Sequence, residues 1–130
     1  MSKQDSMRTP LGRVRNLGSA KSGTSDFWRQ RVTAIATALL TIPVIIIILS
    51  LVGRNHAWTA QTLGSPLVAI IFALFIVAGV LHMKIGMQVI IEDYVHDEKI
   101  KLVAIIANIF FSTAVALASL YAILKLSSGV

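Results

Sequence analysis

His82 is the residue in this chain with the most chemistry to offer. It stands inside a long apolar run, near its middle and toward the end that charge asymmetry assigns to the cytoplasm. An ionisable side chain at such depth is costly to bury and marks a functional position by default. A neutral imidazole is also a good iron ligand. Gly79 and Gly86 lie at i−3 and i+4 from it, on the same helix face. Glycines on both sides of an imidazole leave a shallow trough for a flat macrocycle. The same features fit a histidine hydrogen-bonded to a neighbouring helix, with glycines that allow close packing. The remaining histidines, His56 and His96, fall in loops. An iron held by two histidines would therefore take its second ligand from another chain.

Further polar residues gather toward the same end. Asp93 and Tyr94 close the run that holds His82. Asp93 returns to nearly the face of His82, and Tyr94 lies roughly 18 Å along the axis at helical rise. Taken alone, the pair also reads as an interfacial tyrosine beside a loop-edge carboxylate. Lys84 points roughly 160° away from His82, toward headgroups or a partner chain. Gln88 can hydrogen-bond across helices. Arg31, with Arg29 and Asp26 nearby, guards the entrance of an earlier apolar run. Such an arginine anchors to lipid phosphate, or grips a buried carboxylate through its bidentate fork. Glu92, Asp97, Glu98, Lys99 and Lys101 read as a solvated loop, suited to docking.

The elements that position these residues are membrane spans. The chain has 130 residues, 55% of them hydrophobic and 14% charged, far fewer charges than the quarter usual in soluble domains. Apolar runs over 32–52, 67–91 and 102–126 are each long enough to cross about 30 Å of hydrocarbon as a helix. Helices satisfy their own backbone, which lipid requires. Pro43 predicts a kink in the first, and Gly64-Ser65-Pro66 a turn that starts the second. Zero cysteines exclude a disulfide framework and thiolate-held zinc or iron–sulfur centres.

Charge sets the orientation. Lys3, Arg8, Arg13, Arg15, Lys21, Arg29 and Arg31 precede the first run, whereas the 53–66 loop holds Arg54 alone. The N-terminus and the 92–101 loop are therefore expected in the cytoplasm. Trp28 and Trp58 suit opposite interfaces. The net charge of +6 is explained by this asymmetry, without a nucleic-acid partner. Residues 1–25 read as a polar, basic cytoplasmic segment, and 26–130 as a three-helix membrane domain. The first run starts too late, and without a small-residue cleavage site, to be a removed signal.

The stretch His82-Met-Lys-Ile-Gly86-Met-Gln-Val-Ile-Ile-Glu-Asp93-Tyr94-Val95 resembles the small cytochrome b membrane anchors of succinate dehydrogenase, respiratory complex II. Asp26-Phe27-Trp28-Arg29-Gln30-Arg31-Val32-Thr33-Ala34 carries the second part of the likeness, which runs from about Asp26 to the end. The resemblance implies an all-α membrane protein with three transmembrane helices, part of a hetero-oligomeric bundle with heme between subunits. By the same likeness His82 would be an axial ligand of heme b, opposite a histidine of the larger cytochrome b anchor. Arg31 would face a heme propionate. Tyr94 would donate to a ubiquinone carbonyl, with Asp93 beside that site. The partners implied are that larger anchor, an iron–sulfur subunit and the flavoprotein that oxidises succinate, in a bacterial inner membrane. This chain has no flavin or iron–sulfur motif, so it would not be catalytic alone. A cofactor-free structural or holin-like membrane protein is the alternative. A small multidrug transporter would need an acidic residue within a span, and every carboxylate here lies outside.

Overall fold

The computed structural model describes residues 9–11 and 21–128. The polar segment expected over 1–25 lies largely outside them, and its 21–25 stretch is already helical. Helix α1 spans Lys21–Leu51, α2 His56–Gly64, α3 Pro66–Tyr94 and α4 Glu98–Ser128. The described residues contain no strand. Helices α1, α3 and α4 are each long and apolar enough to cross a membrane.

Local sequence explains the breaks. Gly53 adopts a φ of 75° just after α1, a conformation open to glycine and strained for other residues. Asn55 caps α2 by accepting from the Trp58 amide at 2.9 Å. Ser65 and Pro66 then start α3, as the turn signal predicted. Asp97 caps α4 by accepting from the amides of Lys99 and Ile100, each at 2.9 Å. Helix α1 continues through Pro43.

Two expectations need adjustment. The 53–66 loop contains α2, which apolar periodicity does not reveal. The 92–101 loop shrinks to 95–97, because α3 and α4 extend beyond their apolar runs. With 31 residues, α1 is about 46 Å long at 1.5 Å per residue, well over one bilayer core. The surplus is its polar start.

Helix α3 occupies the centre, flanked by α1 and α4, while α2 rests chiefly on α4. Few side chains are buried: Val44, Ala69, Ala78 and Ile91 among apolar residues, Asn108 and Ser112 among polar ones. Small residues at the contacts let the backbones approach, which is how helices associate in lipid. Gly64 is one such point, since a Cβ there would strike the Leu126 carbonyl. Leu39, Ile46, Phe110 and other large apolar side chains point outward, suited to lipid or partner helices.

Candidate functional site

The site begins where the polar start of α1 runs beside the last turns of α3. His82 is half-buried there, and its Nδ1 lies 3.3 Å from the Gln30 carbonyl and 3.3 Å from Thr33 Oγ1. His82 is thus level with the polar N-terminal part of α1. The sequence expectation of a position near mid-span holds for α3 taken alone; against α1 the residue stands at the edge of the apolar zone.

These contacts assign a tautomer. A carbonyl only accepts, so Nδ1 must carry the proton to bond Gln30. The Thr33 hydroxyl donates to backbone carbonyls of its own helix, Arg29 at 2.8 Å and Gln30 at 3.2 Å. With its hydrogen committed, it meets Nδ1 as an acceptor. Both neighbours agree on Nδ1–H, and in a neutral ring so held Nε2 carries the lone pair. No hydrogen bond occupies Nε2 among the described residues.

A cavity of about 500 Å³ opens beside the imidazole. It runs along the α1/α3 seam from Ala34 and His82 to Gly23 and Glu92, with Arg31 and Asp26 on the α1 side. Arg31 stacks its guanidinium on the Phe27 ring, 4.3 Å from the centroid, which restricts where the cation can go. Gln88 donates to Glu92 at 2.8 Å on the same stretch of α3. The donor set suits an iron macrocycle with acidic side groups: one uncommitted imidazole nitrogen on α3 and one cation on α1 line the same cavity. The glycines divide. Nothing lies within 4 Å of a Cβ built at Gly79, so that side of the trough is open. A Cβ at Gly86 would come within 3.1 Å of Gln30 Nε2, so α1 fills that side.

Not every expected residue converges here. Asp93 and Tyr94 are exposed at the end of α3, Tyr94 at 76%, and neither lines the His82 cavity. Glu92 does so instead. Gln30 and Thr33 are partners that sequence reasoning does not single out. Their one signal is an i, i+3 spacing of polar residues at the mouth of an apolar run, which becomes meaningful once α1 is set against α3.

A second cavity, also about 500 Å³, lies against the same two helices. Trp28, Arg29, Val32, Thr33, Leu81, Lys84 and Ile85 line it. Ile85 borders both cavities. The opposite seam, between α3 and α4, is bridged by Asn108, which donates to the Lys84 carbonyl at 2.9 Å. Ser112, 1% exposed, contacts Asn108 Oδ1 at 3.4 Å.

Comparison with known proteins agrees with this architecture. A family model described as the succinate dehydrogenase/fumarate reductase transmembrane subunit matches residues 5–116. The succinate dehydrogenase hydrophobic membrane anchor subunit of Paracoccus denitrificans is 33% identical over 121 residues, 93% of this chain and 93% of its own length. Its counterpart in Rickettsia bellii is 30% identical over 116 residues, 89% of this chain and 93% of the relative. The succinate dehydrogenase membrane anchor subunit of Reclinomonas americana is 32% identical over 88 residues, 65% of this chain and 73% of the relative. No solved structure is a significant match. Three spanning helices and matches along nearly the whole length lead to one conclusion: the chain belongs to the succinate dehydrogenase/fumarate reductase transmembrane subunit family, and its named relatives are membrane anchors.

Proposed function

We propose that the chain is the small anchor of a succinate:ubiquinone oxidoreductase, complex II, in which His82 would hold heme b together with a histidine of the larger cytochrome b anchor. The observation that carries this reading is the hold on Nδ1: Gln30 and Thr33 engage the ring by one nitrogen and leave the other without a partner among the described residues, in a ring that lines the same cavity as Arg31. Heme b, when bound, takes up and releases single electrons.

The chain's own residues set the conditions. The Gln30 carbonyl and Thr33 hydroxyl orient the imidazole and, by accepting a hydrogen bond from Nδ1, raise its basicity toward iron. Arg31 offers a forked cation to a propionate. Tyr94 donates its phenolic hydrogen to a ubiquinone carbonyl, where it stabilises charge that develops on reduction. Asp93 adjoins that site at the aqueous edge, where protons are available. The exposed cytoplasmic ends of α1 and α3, with the 95–97 connection, receive the iron–sulfur subunit and its flavoprotein. In this reading the N-terminus lies on the cytoplasmic side of a bacterial inner membrane.

The test uses the whole purified complex. His82→Ala is expected to abolish or shift the heme bands of the reduced-minus-oxidised spectrum. An unchanged spectrum with full heme content removes His82 as a ligand. Tyr94→Phe is expected to slow ubiquinone reduction roughly 10–100-fold while succinate oxidation with a dye acceptor stays near normal. Equal loss in both assays would indicate failed assembly instead.

A further inference from the structure

The second cavity has a different chemistry from the first. Its charged residues are Arg29 and Lys84, and no carboxylate lines it, whereas Asp26 and Glu92 both border the His82 cavity. Lys84 is half-buried, and its ammonium has no ion-pair partner among the described residues. Arg29 reaches Asp26 at 4.0 Å in an exposed i, i+3 pair, which binds weakly. Cations that share a low-dielectric hollow repel each other unless an anion sits between them.

The rest of the lining says what kind of anion. Val32, Leu81 and Ile85 form an apolar wall, with Val32 61% and Leu81 45% exposed. Trp28, also exposed, sets the level of this cavity at the membrane interface. A group that fills the hollow must be anionic at one end and hydrocarbon along its flank. We propose that this cavity binds an anionic glycerophospholipid of the surrounding leaflet, its phosphate held between Arg29 and Lys84 and an acyl chain laid along Val32, Leu81 and Ile85. Arginine matches phosphate oxygens with its fork, and lysine adds a point charge. A zwitterionic headgroup is disfavoured, because its own ammonium would face these cations. The proposal needs the chain to be in a membrane and does not depend on the heme assignment.

The experiment compares intact complexes in nanodiscs of phosphatidylcholine doped with phosphatidylglycerol. Native mass spectrometry after release counts the lipid that stays bound. The Arg29→Gln/Lys84→Gln double variant is expected to lose one retained phosphatidylglycerol, with apparent affinity reduced at least tenfold, while Lys84→Arg keeps it. Equal retention in wild type and double variant overturns the proposal, as it would if a partner's carboxylate paired with Lys84. Equal retention of phosphatidylcholine overturns it too. So does displacement of the lipid by millimolar inorganic phosphate, which would mark a free-anion site. If the double variant does not assemble, Leu81→Trp fills the apolar wall and leaves both cations in place. Loss of the retained lipid there supports the site, and unchanged retention refutes it.

Discussion

The two seams along α3 are built on opposite terms. Against α4, the buried polar groups are paired with one another: Asn108 with the Lys84 carbonyl, and Ser112 with Asn108. Against α1, the buried oxygens Gln30 Oε1 and Thr37 Oγ1 have no hydrogen-bond partner among the described residues. Cavities border both seams, those against α4 lined mainly by apolar side chains. A polar group in a dry interface is costly when unpaired, so the α4 seam is arranged for cohesion. The α1 seam gives up some of that cohesion and keeps uncommitted polar atoms beside its cavities, as the ligand site proposed above requires. Within one helix, the side facing α4 satisfies its buried polar groups and the side facing α1 leaves some of them uncommitted.

Substitutions can break this contrast. The largest stability effect is expected from Ser112→Leu, which forces bulk into a fully buried position of the α3/α4 seam and should cost about 1–3 kcal/mol. Resistance of the complex to heat in detergent should drop, with the heme spectrum of surviving molecules unchanged. Asn108→Ala removes the interhelical donor and should cost about 1 kcal/mol, again with no spectral change. A shifted spectrum in either variant would show that the seams are not separable. Thr33→Val should have the smallest effect on stability, under about 1 kcal/mol. By removing an acceptor from Nδ1–H, it would make the imidazole a poorer donor, so in the heme-bound complex proposed above the midpoint potential should rise. Thr33→Ser should restore it, because the hydroxyl returns. A potential indifferent to Thr33 would break the assigned link between hydroxyl and ring.

Much of the architecture is legible in the sequence because lipid imposes it. Long apolar runs, charge-poor and bounded by Ser65-Pro66 or by arginines, can do little else than span. The helix ends are less legible, because hydropathy measures the lipid-facing part of a helix and is silent about helical turns in water. That is why the first turns of α1 and the last of α3 extend past the expected limits. Helix α2 stays hidden for the same reason, although Asn55 with the Trp58 amide is an ordinary capping arrangement. His82 stands out by depth and residue type alone. Its partners do not, since Gln30 and Thr33 meet it through the register of α1 against α3, which no local pattern encodes. Likewise, a helical wheel puts Asp93 on the face of His82, but the cavity ends at Gly23 and Glu92, before reaching it.

Ile85 contributes to the lining of both cavities, the one bordered by Asp26 and Glu92 and the one whose charged residues are Arg29 and Lys84. A change at this one side chain therefore alters two electrostatically unlike hollows at once. Shortening it to alanine is expected to widen both, so an effect measured at Ile85 reports on the two compartments together.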